Sequence, residues 1–378
     1  MSQQDPRAES LARTAASDSL APVRTWLFSV AALIFAMVMI GGATRLTESG
    51  LSITQWQPIT GVIPPLNQQD WVAEFDRYKQ IPQYAAFNTD MTLDGFKTIF
   101  FWEWTHRLVA RLIGLAFIVP GLWFWRRGRL KGALGRQVLV ATGLLALEPI
   151  VGWWMVSSGL AVRTEVAQDR LAAHLLIAAA TFGALVYAGV GLAVKPRESS
   201  SLGFVAAAGG LVALIFCQLG LGALMAGLRG GYIDNTWPLM DGALIPKGVF
   251  SLTPWARSIV DDITTSQFDH RLGAYAVFVA AIAMAVMARR RAPGSSLARR
   301  SGALALLAVL QVGLGIATLV LVMPIEMALA HQAVALLLFG MAVAHWRVTA
   351  MERRTGRARA FPRRAGPAVV LPFERRAP

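Results

Sequence analysis

Cysteine is almost missing from this chain of 378 residues: Cys217 stands alone. A single thiol excludes an intrachain disulfide and a thiolate-bound metal cluster, and its place inside an apolar run makes Cys217 a small packing residue. Charge is also scarce. Asp, Glu, Lys and Arg together make up 15% of the chain against 55% hydrophobic residues, a balance that excludes an ordinary soluble enzyme. The first 25 residues lack the apolar core of a cleaved signal peptide, and Asp5, Glu9 and Asp18 argue against a mitochondrial transit segment. Residues 1–25 therefore read as a short cytoplasmic tail. Histidine, with five copies, is rare enough for its placement to carry information.

What is abundant is apolar sequence in long runs. They cover residues 26–44, 100–125, 137–158, 170–193, 203–227, 267–288, 301–323 and 326–346, each near or above the roughly 20 residues that cross a bilayer's hydrocarbon. Eight spans follow. The net charge of +14 would suit a nucleic-acid partner if it lined one surface, but it punctuates the spans instead. Basic residues gather at Arg126 to Lys131, at Lys195 and Arg197, at Arg289 to Arg291 with Arg299 and Arg300, and from Arg347 to Arg376. Eight spans place all of these on one side with the amino terminus, and the positive-inside rule makes that side cytoplasmic. Acids such as Glu48, Asp70, Asp94, Asp241 and Asp262 fall in the opposite loops. Residues 347–378 read as a basic cytoplasmic tail, an orientation signal drawn to anionic lipid.

The chain also repeats itself. His106 in Glu103-Trp104-Thr105-His106-Arg107-Leu108 is echoed by His270 in Gln267-Phe268-Asp269-His270-Arg271-Leu272, and each is followed one helix pair later by a second histidine, His174 and His331. The loop text around Trp56-Gln57-Pro58 resembles that around Trp237-Pro238. Four spans per repeat leave both halves in the same orientation, a parallel rather than inverted duplication. The predicted fold is an all-α membrane protein, with eight transmembrane helices arranged as two tandem pseudo-symmetric four-helix bundles, residues 26–194 and 203–346.

At a rise of 1.5 Å per residue all four histidines lie within roughly 5 to 10 Å of the outer hydrocarbon edge. Members of each pair can then face one another across a bundle, where such folds build cofactor sites. Two axial imidazoles suit heme iron, because the porphyrin supplies the remaining ligands. Zinc or copper competes for the same residues but needs further ligands that no cysteine pair or carboxylate-rich helix supplies. His345, beside Trp346 and Arg347 at the cytoplasmic end of the last span, lacks a counterpart and reads as an interface residue outside either site.

One position breaks the repeat: Glu103 faces Gln267. A carboxylate one turn from His106 can accept a proton, hold a reacting group or ligate iron, whereas glutamine only hydrogen bonds. A working site in the first half and an electron-carrying or structural heme in the second follow from that difference. Arg107 and Arg271 follow their histidines in both halves, and two readings stand side by side, a fork for heme propionates or a side chain snorkelling to the interface. Arg45 and Arg229, just past the outer ends of spans one and five, are weaker propionate candidates. Arg163 and Arg170 read as boundary residues.

The run Glu103-Trp104-Thr105-His106-Arg107 resembles the Glu-x-x-His-Arg motif of the heme A synthase family, and Gly41-Gly42-Ala43-Thr44-Arg45-Leu46-Thr47-Glu48-Ser49-Gly50-Leu51-Ser52 resembles that family's first outer loop. The resemblance spans Trp26 to Trp346. It implies an oxidoreductase that converts heme O into heme A for terminal oxidases, taking the C8 methyl group to a formyl group through hydroxylated intermediates. By the same resemblance His106 and His174 bracket the substrate heme O with Glu103 in the reaction, while His270 and His331 hold a permanent heme b. The implied partners are heme O synthase, oxidase assembly factors and an unspecified electron-transfer protein, and a homo-oligomer is compatible with the fold. Some bacterial members carry a cysteine pair in the first outer loop. Residues 45–97 have none, so the chain resembles the cysteine-free branch of proteobacteria and mitochondria. The expected location is the bacterial inner membrane, with both termini cytoplasmic and the heme sites toward the periplasm. Trp56, Trp71, Phe75, Tyr78, Tyr84 and Phe87 of that loop read as interface anchors or as a cover over the site. The competing function is a diheme b-type electron-transfer protein; a heme transporter or chaperone is a third.

Overall fold

A computed structural model describes residues 19–194, 196 and 198–360. Eight helices are long and apolar enough to cross a membrane: α1 Ala21–Leu46, α2 Leu93–Arg126, α3 Gly132–Ser157, α4 Gln168–Ala193, α5 Leu202–Gly227, α6 Ile263–Arg291, α7 Ser296–Val320 and α8 Ile325–Ala360. A helix is the element that satisfies its own backbone where no water is available. Their starts are written in the sequence. The side chains of Thr92, Ser201, Asp262 and Ser295 accept backbone N–H groups at the first turns of α2, α5, α6 and α7, each satisfying a donor that the helix itself leaves free.

In the first four helices α1 packs on α2 and α4, and α3 packs on α4. In the last four the ring closes: α5 packs on α6 and α8, and α7 on α6 and α8. Among the described residues α2 and α3 barely touch, whereas their counterparts α6 and α7 pack along one another. The two sets meet through α4 on α5 and α8, and through α1 on α8. Small residues make that approach close. A Cβ on Gly183 would meet the Phe339 ring at 2.9 Å, and one on Gly340 would meet the Phe182 ring at 2.7 Å, so α4 and α8 interlock through two reciprocal glycine–phenylalanine pairs.

The two long loops lie at the same end. Arg229 pairs with Glu48 across them, and the Gln168 amide donates to Asp261 at 2.8 Å. The first long loop folds two short helices, Gln68–Tyr78 and Pro82–Phe87, over a small core of its own in which Trp71, Phe75 and Tyr78 pack with Phe96 and Phe100 of α2. Phe87 is exposed and Trp56 meets Trp153 edge-on at 5.2 Å. Burial pushes the Tyr78 hydroxyl up to about 12, and its oxygen accepts from Asn88 at 2.7 Å.

Three expectations need correction. Cys217 is exposed on the outer surface of α5, facing where lipid would lie, and takes no part in core packing. His345 is buried, and neither ring nitrogen has a hydrogen-bond partner; the helical stripe Leu338, Ala342, His345, Thr349 and Glu352 is buried throughout, which turns it inward. The same stripe carries α8 past the expected boundary at 346. Arg347 lies over the Tyr187 ring at 4.4 Å, and buried Glu352 takes both of its ion-pair contacts from Arg300 at 3.0 Å. The expected tails at residues 1–18 and 361–378, and Lys195 and Arg197, lie outside the described residues.

Candidate functional site

Each of the four repeated histidines rests on a glycine of the helix before its own. A Cβ on Gly41 would come 3.1 Å from Cε1 of His106, on Gly152 3.1 Å from that of His174, on Gly222 3.1 Å from that of His270 and on Gly315 2.9 Å from that of His331. The same seat therefore recurs at α1 to α2, α3 to α4, α5 to α6 and α7 to α8. A residue larger than glycine would displace the ring in every case. His174, His270 and His331 lie near the amino-terminal ends of α4, α6 and α8, toward the long loops. His106 is farther into α2, whose first turns rise into the loop layer and carry Phe96 and Phe100.

The structure brings His270 and His331 together with ring centroids 6.4 Å apart and planes 76° apart. Two imidazoles on opposite sides of one metal, each nitrogen about 2 Å from it and each ring centre about 1 Å further, place their centroids roughly 6 Å apart. The pair fits a six-coordinate heme iron. Among the described residues no three His, Cys, Asp or Glu side chains converge as metal ligands, so the donor set suits a metal that brings most of its own ligands. Nδ1 of His106 and Nδ1 of His174 are buried without a hydrogen-bond partner.

Beyond the rings the two sets differ. The Gln218 amide lies 3.0 Å from Nδ1 of His270, and the Gln311 amide lies 3.1 Å from Nδ1 of His331. The Gln218 nitrogen also donates to the His270 carbonyl at 2.8 Å, and the Gln311 nitrogen also lies 3.3 Å from Nε2 of His331. In the first four helices Met37 stands where Gln218 stands, by the register of Gly41 with Gly222, and Glu148 stands where Gln311 stands, by the register of Gly152 with Gly315. Glu148 Oε2 lies 2.7 Å from Nδ1 of His174. Sequence reasoning missed this residue, although the glycine register would have found it.

Glu103 is buried and fully engaged. Its Oε2 accepts from the Ser52 hydroxyl and the Ile53 N–H, both at 2.8 Å, and its Oε1 accepts from Arg107 Nη2 at 2.5 Å and Nε at 3.1 Å. Arg107 also donates to the carbonyls of Ile53 and Gln55. Gln267 repeats the tie in neutral form, donating to the carbonyls of Gly230 and Ile233 at 2.9 and 2.7 Å, and Arg271 donates to those of Asp234 and Thr236. Both arginines thus bind the loop backbone above their histidines. Arg45 and Arg229 converge on one carboxylate instead: Glu165 accepts from Arg45 at 2.5 Å and from Arg229. Arg163 donates to Gln168 and Arg170 to the Trp154 carbonyl, as boundary residues tying loop to helix.

An eight-helix membrane protein with histidines opposed near one end of its bundle defines a class, that of integral membrane heme proteins. Residues 24–343 match the family described as cytochrome oxidase assembly protein. Curated relatives named heme A synthase include those of Mesorhizobium japonicum, 49% identical over 86% of this chain and 90% of the relative, of Chelativorans sp., 50% identical over 86% and 91%, and of Rhodopseudomonas palustris, 50% identical over 87% and 91%. The chain belongs to the heme A synthase family.

Proposed function

We infer that the chain is a heme A synthase, a membrane oxidoreductase that takes a methyl group of heme O to the formyl group of heme A during cytochrome oxidase assembly. The observation that carries this reading is identity near one half with heme A synthases over about nine-tenths of their length. In this proposal His270 and His331 hold a resident heme b, and His106 and His174 hold the substrate. The loose seam between α2 and α3 supports that division, because a substrate with a long isoprenoid tail needs an opening toward lipid and a permanent cofactor does not.

Bound heme supplies the iron redox chemistry. The chain's own residues hold and orient. In this proposal Arg107 and Arg271, anchored on loop carbonyls, would meet propionates, as would Arg45 and Arg229 if released from Glu165, which holds both of them here. Glu103, the one carboxylate in its Glu-x-x-His-Arg run, is the proposed catalytic residue. Its partners, the Ser52 hydroxyl and the Ile53 N–H, belong to the long loop and fix the carboxylate against it. The proposed location is the bacterial inner membrane, with basic short loops and both termini cytoplasmic and the heme sites toward the periplasm.

Coexpression with a source of heme O, followed by extraction and separation of the pigments, tests the reading. Heme A is expected in the extract. Two bound hemes with heme O and no heme A would replace the synthase by a diheme electron carrier.

A further inference from the structure

Glu148 lies inside α3, where a carboxylate is costly unless something receives it. Its Oε2 is 2.7 Å from Nδ1 of His174, its Oε1 is buried without a hydrogen-bond partner, and only 16% of its side chain is exposed. The approach to Nδ1 is close but off the line of the ring N–H, since Nδ1 forms no hydrogen bond in this geometry. One turn further along α3, Gly152 supports the same ring. The corresponding histidine, His331, has the Gln311 amide in that place. Among the described residues, His174 alone of the four repeated histidines has a carboxylate within ion-pairing distance of its ring.

We propose that Glu148 is a positioning residue of the first site: it turns the His174 ring so that Nε2 faces the bundle and makes that imidazole a stronger donor to iron than His331. The proposal rests on the reading of His174 as an axial ligand. A carboxylate on the far nitrogen of a metal-bound histidine fixes the ring and raises its basicity. Such a ligand favours the oxidised metal. A neutral amide does less, so the two hemes differ in potential by design of the α3 and α7 side chains and not only by their own chemistry.

The test uses purified holoprotein with both hemes bound, in Glu148→Gln, which copies Gln311, and in the reciprocal Gln311→Glu. Reduction potentials are read by optical redox titration and the axial ligands by the low-spin ferric EPR signal. Glu148→Gln is expected to raise the potential of one heme, shift its EPR signal and weaken retention of the heme at that site about tenfold. Gln311→Glu is expected to lower the potential of the other heme. A Glu148→Gln protein that melts at a lower temperature but keeps both potentials and both EPR signals would overturn the proposal, leaving Glu148 a structural tie between α3 and α4. If Glu148→Gln does not fold, an unchanged potential in Gln311→Glu overturns it equally. His174→Ala separates the two levels of the argument: retention of both bis-imidazole signals there would remove His174 as a ligand, a failure of the underlying reading and not of the carboxylate's effect.

Discussion

Gly315 on α7 lies so close to His331 on α8 that a Cβ would stand 2.9 Å from the ring's Cε1. Atoms of a side chain and a ring do not share that distance, so Gly315→Ala must turn the imidazole or part the helices, at a cost of about 1–3 kcal/mol for an overpacked interior. The predicted outcome is loss of one heme from the purified protein, read by pyridine hemochrome against protein concentration. Gly313, two residues before, faces open space. Gly313→Ala should retain both hemes, and a matching loss there would mean that α7 tolerates no substitution and that the seat is not specific.

Glu103→Gln separates the structural and chemical duties of that carboxylate. Glutamine can still accept from Ser52 and the Ile53 N–H, but it gives up the charge facing Arg107. Arg107 retains the carbonyls of Ile53 and Gln55, so the destabilisation should be about 1–2 kcal/mol rather than the several expected when a buried charge is stranded. Heme binding should persist and heme A formation should fall by at least tenfold. Unchanged heme A yield with both hemes bound would remove Glu103 from the reaction and leave it a tie between α2 and the loop.

The eight spans were legible because hydropathy alone marks them, and every predicted run overlaps one helix. Their ends were not. α2 begins at Leu93, before its apolar run, because Phe96 and Phe100 face the loop core and polar residues face away from it. α8 continues because Thr349 and Glu352 bury on the same stripe as Leu338, which a hydropathy window averages with the arginines beside them. His345 was misjudged for the same reason, from its neighbours in sequence and not from its neighbours on the helix face. The histidines were legible as a repeat; Glu148 was not, because the comparison of halves was anchored on the Glu-x-x-His run and the long loops and did not extend to α3 and α7. Which residues would hold the arginines lay beyond sequence, since Glu165 meets Arg45 and Arg229 only in space.

The buried phenol of Tyr78 gives a pH signature. Burial raises it to about 12, above the ordinary value of 10.0, so the folded loop keeps a proton that the unfolded chain releases. Its contribution to stability is complete below pH 10 and declines as pH rises from 10 toward 12. Tyrosinate absorbance near pH 11 should therefore be the same in Tyr78→Phe as in the parent protein while the loop is folded. A parent signal larger by one tyrosine at that pH would show the Tyr78 hydroxyl open to solvent.

Glu165 gathers two guanidiniums from opposite sets of helices, Arg45 at the end of α1 and Arg229 just past α5, and Glu48 completes the cluster on Arg229. Burial works to lower the pKa of Arg229, but its hydrogen bond to Glu48 and the charge of Glu165 outweigh it and hold the guanidinium above its usual value. These side chains are one-fifth to two-fifths exposed, so solvent screening limits the whole cluster to about 1 kcal/mol. Glu165→Gln removes the shared anion and leaves Arg45 with one carbonyl contact at 3.4 Å. The expected result is a fall of about one degree in the melting temperature of the detergent-solubilised protein at low ionic strength, shrinking as salt is added, because exposed pairs are screened within about 10 Å at 0.1 M. Arg77, paired with Glu74 inside a single loop helix, provides the comparison: Arg77→Gln crosses no interface between helices and should move the melting temperature less. If the two substitutions have equal effects, or if the loss in Glu165→Gln is indifferent to salt, the cluster is not an electrostatic clamp between the two sets of helices.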